Sequence, residues 1–79
     1  MTHDPMLQTL LDLLAYDLPC PEIMLEEDGD ICLEWEEPAW KSLISINPTG
    51  GVNWAVTEPR EHGSNLDRLK AILHEREAL

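Results

Sequence analysis

The first forty residues of this chain contain no lysine and no arginine, although 16 of its 79 residues are acidic. Eleven of the acids fall in that half, and the second half holds five acids and five bases, so the net charge of −11 belongs entirely to the first half. Such a field repels phosphate backbones and anionic headgroups and attracts basic proteins. The composition therefore predicts a basic protein partner, with no direct nucleic-acid contact and no membrane contact.

Two further absences bear on where the protein works. No basic stretch follows Met1, which argues against a secretory signal, and no apolar run is long enough to cross a bilayer. The two cysteines, Cys20 and Cys32, do not face each other in the strand pairing derived below, so we expect reduced thiols in a cytoplasmic protein. A length of 79 residues predicts a single domain, residues 1–79, of modest stability.

Catalytic and metal-binding patterns are also missing. The histidines His3, His62 and His74 fall at a terminus, in a linker and at a helix end, with no spacing that matches a metal site. Neither cysteine has a predicted base beside it, as a thiol nucleophile would need. The acidic run 26–30 lacks the ligand spacing of a calcium loop. The sequence therefore predicts a protein that is not an enzyme and that holds no cofactor and no metal.

What the chain does contain is a charged hairpin, residues 20–37. Apolar residues alternate with charged ones over two runs, and this period of two predicts two half-buried strands. The apolar set is Ile23, Leu25, Ile31, Leu33 and Trp35. A two-residue turn would split this set between the two faces. A three-residue loop, Glu27–Gly29, pairs Leu25 with Ile31 and gives Gly29 the left-handed position of a type I turn with a bulge, so this register is predicted.

The outer face of the hairpin sets acid against acid. In the predicted register Glu22 lies opposite Glu34 and Glu26 lies opposite Asp30, and like charges in such positions destabilise a sheet. We therefore expect the face to meet a basic protein, with Trp40 in the next loop as an apolar anchor. Two alternatives remain: a solvated face that only keeps the protein soluble, and a Trp40 that folds back over the core. The candidate contacts are Glu22, Glu26, Asp28, Asp30, Glu34, Glu36, Glu37 and Trp40.

Helices are predicted at both ends of the chain. The first begins with Asp4 as its N-cap and Pro5 as its first residue. Its leucines recur at helical spacing and form a stripe that is either core or a partner-binding face: Leu7, Leu10, Leu11, Leu14 and Leu18. The last helix begins near residues 64–67 and is predicted to bury Leu66, Leu69, Ile72 and Leu73.

Two more strands, 42–47 and 52–57, follow the hairpin. The loop 38–41 predicts Trp35 opposite Ile44, and the loop 48–50 predicts Ile46 opposite Val52. Residues 58–63 are predicted to form a polar linker. The fold class is therefore α+β, a two-layer α-β-β-β-β-α arrangement with a four-stranded antiparallel meander and both helices on one face of it.

The segment from Pro21 to Trp35, with its Pro-Glu-Ile start, its Asp28-Gly29 turn and its Leu33-Glu34-Trp35 strand, resembles a pattern in small bacterial and phage proteins. The resemblance covers residues 19–56 and implies the strand meander but no activity. In size, acidity and expected location the chain also resembles phage-encoded inhibitors, including anti-CRISPR proteins and other mimics of DNA. That second resemblance implies an inhibitor of a nucleic-acid-binding protein.

The resulting hypothesis is a small acidic inhibitor whose hairpin carboxylates replace phosphates on a basic nucleic-acid-binding surface. One alternative is an antitoxin or immunity-type protein that neutralises a single cognate partner through the sheet face or an exposed strand edge. Another is a homodimeric scaffold module whose sheet edges pair, although the acidity of the first strand argues against pairing there.

Overall fold

The computed structural model describes residues 4–58 and 60–77, which form an α+β protein. The elements, in chain order, are α1 (Pro5–Leu14), β1 (Glu22–Leu25), β2 (Ile31–Glu36), β3 (Lys41–Ile46), β4 (Val52–Val56), β5 (Glu61–Gly63) and α2 (Leu66–Arg76). Within this part of the chain, neither helix is long and apolar enough to span a membrane.

The strands form one antiparallel sheet in the order β1-β2-β3-β4-β5. The predicted α+β class is confirmed, but the prediction of four strands is wrong because Glu61–Gly63 pairs with β4 where a linker was expected. This segment is too short and too polar to show a strand period. It becomes a strand because β4 offers it a hydrogen-bonding edge. Gly63 packs close to Trp54, since a Cβ added at Gly63 would lie 3.5 Å from the indole ring.

Both tight hairpins have the predicted register. Leu25 pairs with Ile31 across β1 and β2, and Ile46 pairs with Val52 across β3 and β4. Gly29 and Gly50 have φ angles of 92° and 89°, the left-handed conformation that the last position of each three-residue loop requires. The loop chemistry and the apolar alternation thus favour the same pairing, which is why the sequence was sufficient here.

The register of β2 against β3 differs from the prediction by two residues. Leu33, not Trp35, pairs with Ile44, because Lys41 already belongs to β3 and lies opposite Glu36. The connecting loop is closed by a hydrogen bond from the Glu37 N–H to the carbonyl of Trp40. A shift of two keeps every side chain on its predicted face. Only the choice of partners changes.

Helix α1 buries a different face from the one predicted. Asp4 caps it as expected, accepting hydrogen bonds from the N–H groups of Met6 and Leu7. Leu13 is fully buried and Leu10 partly, but Leu7, Leu11 and Leu14 are 48%, 54% and 37% exposed. The face is selected by Thr9, a buried residue whose hydroxyl donates to the carbonyl of Gly50 over 3.0 Å. The leucines of α1 therefore divide into a core set and an exposed set.

The core contains residues of both helices and of the sheet. Its members are Leu13, Leu33, Trp35, Trp40, Ile44, Ile46, Val52, Trp54, Val56, Leu69, Ile72 and Leu73. Ile23 and Leu25 were also expected in it, but they are 50% and 77% exposed. The reason is that β1 lies at the edge of the sheet whereas α1 packs over β3. The expectation that both helices cover one face of the sheet stays a prediction.

Of the two glycines with a positive φ, Gly50 should tolerate substitution less well than Gly29. We expect Gly50→Ala to destabilise the protein by about 2 kcal/mol, because its φ is positive and its Cβ would lie 2.9 Å from the carbonyl oxygen of Pro5. Gly29→Ala is the matched control: its φ is similar, but its Cβ would be 3.9 Å from the nearest atom, so only about 1 kcal/mol is expected. Urea unfolding of both variants measures the difference, and equal losses would contradict the proposed clash with α1.

Candidate protein-binding surface

One face of the sheet, here called the outer face, carries the side chains that alternate with the core. The observed register brings Glu22, Glu34, Leu43 and Ala55 into one row across four strands. A second row contains Met24, Cys32, Ser45 and Asn53. The predicted pairing of Glu22 with Glu34 is thus observed, and two carboxylate side chains lie directly opposite each other on this face.

A hollow of about 740 Å³ lies on the outer face and has an acidic end. Its lining consists of Glu26, Glu27, Asp28, Asp30, Cys32, Leu43, Ser45, Asn53, Trp54 and Ala55. The acids come from the β1–β2 loop and the residues beside it, whereas the floor is made of neutral side chains of β2, β3 and β4. The site is therefore a shallow, partly apolar surface with carboxylates at one end.

Local hydrogen bonds hold two of these carboxylates in place. Asp28 Oδ1 accepts from the backbone N–H of Asp30 at 3.1 Å, which shapes the loop. Asp30 Oδ2 accepts from the hydroxyl of Ser45 at 3.3 Å, across to β3. The carboxylates of Asp28 and Asp30 are thus oriented by hydrogen bonds within the fold.

The bases of the chain leave most of this charge unpaired. Within residues 4–58 and 60–77, the one ion pair that reaches a hairpin acid joins Lys41 Nζ to Glu36 at 3.5 Å, with both side chains well exposed. The other pairs of lysine or arginine with acids are remote: Arg68 with Glu61 at 2.7 Å and Lys70 with Asp12 at 3.9 Å. The hairpin therefore retains an unneutralised negative field.

The candidate residues do not all lie together. Glu22 and Glu34 lie on the outer face, and the loop acids Glu26, Asp28 and Asp30 line the hollow. Glu36 lies at the far end of β2 in its ion pair, and Glu37 is half-buried in the next loop. The structure thus gathers three of the seven acids at the hollow and leaves Glu22 and Glu34 farther along the hairpin, where Glu34 and Glu36 line a second hollow together with Lys41 and Arg60.

Trp40 is buried, with 6% of its surface exposed. Its ring centroid lies 6.5 Å from that of Trp35, and the guanidinium carbon of Arg76 lies 4.7 Å from its ring centroid. The alternative in which Trp40 folds back over the core is the one observed. It presents almost no surface to a partner, and no local pattern could have shown this because Arg76 is the residue that covers it.

Leu43 is the outer-face residue that sequence reasoning missed. It is 48% exposed and lies opposite Glu34 on one side and Ala55 on the other. The signal was present, because Leu43 alternates with the inward Ile44 and Ser42 and is therefore an apolar residue at an outward position. It is an exposed apolar side chain on this face, as Trp40 was expected to be.

Both cysteines are free, but their surroundings differ. Cys20 is exposed, whereas Cys32 is only 8% exposed although it lies on the outer face. Burial raises the pKa of the Cys32 thiol, and the carboxylates of Glu26 and Glu34 raise it further. Since the thiolate is the reactive form, Cys32 should be the less reactive of the two.

We expect a maleimide at neutral pH to modify Cys20 at least about tenfold faster than Cys32, because burial and nearby negative charge suppress the Cys32 thiolate. Mass spectrometry follows the modification over time. The variants Cys20→Ser and Cys32→Ser, as matched controls, show which cysteine gives the fast reaction and which the slow one. A Cys32 that reacts as fast as Cys20 would show that the outer face at β2 is more open than described.

Within the described residues, no group of three or more His, Cys, Asp or Glu side chains is placed to hold a metal ion. Comparisons with protein-family models, with curated proteins and with solved structures found no match for this chain. Its surface is that of a small, strongly acidic α+β protein.

Proposed function

We propose that this chain is a small acidic inhibitor of the anti-CRISPR type, which binds a basic, nucleic-acid-binding surface of a target protein in the cytoplasm. Both helices would cover the inner face of the sheet and leave the outer face for the target. The protein would act by occupying that surface, without catalysis and without a cofactor. The observation that carries the proposal is the pairing of Glu22 with Glu34 on the outer face, where neither carboxylate has an ion pair with a lysine or arginine of the described chain.

The cost of this arrangement supports a binding role. Like charges directly opposite each other cost about 0.2–1 kcal/mol, and one lysine in place of either glutamate would remove that cost. Solubility alone does not require it, because a net charge of −11 is already high for 79 residues. Acids gathered on one hairpin do, however, accelerate and orient the encounter with a basic protein.

The hollow suits this role chemically. Carboxylates from Glu26, Asp28 and Asp30 form one end, where arginine and lysine side chains would find charged acceptors. Leu43 and Ala55 provide neutral surface beside them, which can receive the aliphatic stems of the same side chains. A basic patch that normally binds phosphates could therefore bind these carboxylates and the apolar surface beside them in place of nucleic acid.

The test is capture of the target on the immobilised protein from a lysate of its host, followed by elution in a salt gradient. We expect the retained protein to be basic, to elute at moderate salt and to be displaced by its own nucleic acid, because Coulomb attraction between exposed charges is screened. A target whose retention is insensitive to salt, or which binds nucleic acid and this chain simultaneously, would contradict the proposal.

A second candidate, the antitoxin or immunity-type partner, is favoured by one specific observation. Ile23 and Leu25 of the edge strand β1 are exposed, as a site for strand-edge recognition would require. In that case the target need not bind nucleic acid, and charge would contribute less than the apolar contact. Failure of nucleic acid to displace the captured target distinguishes this candidate from the first.

A further inference from the structure

Within residues 4–58 and 60–77, no strand pairs with the outer edge of β1. The N–H of Glu26 donates to the carbonyl of Asp30 at 2.8 Å, which marks this pair as the hydrogen-bonded kind. In an antiparallel ladder the two kinds of pair alternate, so Met24 also directs its N–H and C=O toward β2. Ile23 and Leu25 direct theirs away from β2. Because β1 is the first strand of the sheet order, those groups face outward from the edge.

The same two residues also expose their side chains. Ile23 is 50% exposed and Leu25 is 77% exposed, and both lie on the inner side of the sheet, like their partners Leu33 and Ile31. Exposed apolar side chains beside unpaired backbone groups are the combination that favours addition of another strand. An edge of this kind is normally protected, and here exposed acids of β1 and its continuation lie beside it.

The exposed leucines of α1 form a second apolar surface of the protein. Asp12 reaches Lys70 of α2, which fixes the flank of α1 that faces α2. Helix α2 is tied to the β4 side of the sheet through the hydrogen bond from Trp54 Nε1 to the Asn65 carbonyl. Helical geometry places the exposed set on the flank opposite Asp12: Leu7, Leu11 and Leu14.

The charges around the edge decide which occupant it suits. Glu22 and Glu26 are exposed members of β1 and its continuation, and their side chains alternate with those of Ile23 and Leu25. A second copy of this chain paired at the same edge would bring these acids against themselves, which is unfavourable. A strand with basic side chains on its outer side would meet them with opposite charge instead.

We propose that β1 receives an extended segment of a basic partner as an added strand, in which apolar residues alternate with lysine or arginine. The inference rests on the proposed function for the charge of that partner. The apolar side chains of the segment lie on the side of Ile23 and Leu25, and its basic side chains lie beside Glu22 and Glu26. Backbone hydrogen bonds to Ile23 and Leu25 hold the segment. The alternation of apolar and basic side chains along the segment gives the binding its specificity.

The experiment titrates the isotopically labelled full chain with a capped peptide of about nine residues in which valine alternates with lysine, long enough to span β1. A peptide with serine in place of valine has the same charge and is the control. We expect the valine peptide to bind at least about tenfold more tightly and to shift the amide resonances of Ile23 and Leu25. Equal binding of the two peptides, or shifts confined to the outer face, would overturn the inference.

Variants of the chain separate the backbone edge from the side chains. Leu25→Pro removes an outward N–H without removing a ladder hydrogen bond, which an edge strand tolerates. It should weaken binding of the valine peptide about tenfold or more. Leu25→Thr keeps the N–H and should weaken binding of this peptide less. Ala71→Ser, at an exposed position of α2, should leave binding unchanged. Thermal unfolding verifies that each variant is folded. A Leu25→Pro variant that binds as well as the parent overturns strand addition.

Failure of this inference is distinguishable from failure of the proposed function. If neither peptide binds at β1 while the captured target still elutes with salt and is displaced by nucleic acid, strand addition is wrong and the acidic inhibitor stands. If the valine peptide binds at β1 but the target is retained independently of salt, the edge is a recognition site and the inhibitor proposal is wrong.

Discussion

Replacing Arg76 with alanine should lower the Tm by roughly 10–20 °C, which corresponds to a loss of about 3 kcal/mol for a protein of this length. Arg76 is only 4% exposed, an unusual position for a charged side chain. Its guanidinium donates to the carbonyls of Thr57 and Glu58, in the turn that follows β4, and stacks on Trp40 at 4.7 Å. One side chain thus joins the end of α2, the turn after β4 and the loop between β2 and β3.

The truncated side chain leaves several groups without partners. Alanine creates a cavity beside Trp40, removes the cation–π contact and releases the turn at Glu58, whose φ of 57° is itself unfavourable for a non-glycine residue. Burial already lowers the pKa of Arg76, and its Nε has no hydrogen-bond partner within the described structure. Arg76→Lys should be intermediate, because an ammonium group cannot reproduce the planar fork.

Arg68→Ala is the matched control for this prediction. Arg68 lies on the same helix, but its ion pair with Glu61 is exposed, and it lowers the pKa of that carboxyl mainly through their hydrogen bond. Exposed pairs contribute at most about 1 kcal/mol, so its Tm should change by no more than a few degrees. Calorimetry of both variants makes the comparison, and equal changes would mean that the buried guanidinium does not secure the β4–β5 turn.

The double variant Glu22→Gln/Glu34→Gln should reduce affinity for the captured target about tenfold to hundredfold and make binding less dependent on salt. These two carboxylates lie opposite each other on the outer face, and within the described chain they have no ion pair with a lysine or arginine. Glutamine keeps the size and polarity of the side chain, so the change isolates charge. Titration calorimetry at two salt concentrations measures both effects.

The same substitution should raise stability. Removing two opposed negative charges should increase the free energy of unfolding by about 0.2–1 kcal/mol, because the repulsion across β1 and β2 disappears. A variant that is more stable but binds less well is the expected signature of a surface whose charge serves recognition. Urea unfolding of the parent and the double variant measures this part of the prediction.

The control is Asp67→Asn/Glu75→Gln, which changes net charge by the same amount on exposed positions of α2. Its affinity should stay within about twofold of the parent, since long-range charge mainly affects the encounter rate. If both double variants weaken binding equally, total charge and not the hairpin surface determines affinity. The outer face would then lose its place as the binding site.

Much of the outer face could be predicted from the sequence because local chemistry decides it. The alternation in residues 22–36, together with the left-handed glycine of the loop, permits one pairing that buries apolar residues, and that pairing sets Glu22 against Glu34. The location of the net charge along the chain likewise follows directly from the order of the acidic and basic residues. The α+β class followed from the periods of the helices and strands, and it was confirmed.

Contacts between distant residues decided the rest. Thr9 bonding to Gly50 selects which leucines of α1 are buried, and Arg76 stacking on Trp40 draws that indole into the core and away from any partner. The edge position of β1 leaves Ile23 and Leu25 exposed, and β5 forms by pairing with the edge of β4. Sequence periodicity reports which side of a strand or helix is apolar. Which apolar residues become buried depends on what the folded chain places over them, and that is set by hydrogen bonds and packing between segments far apart in sequence.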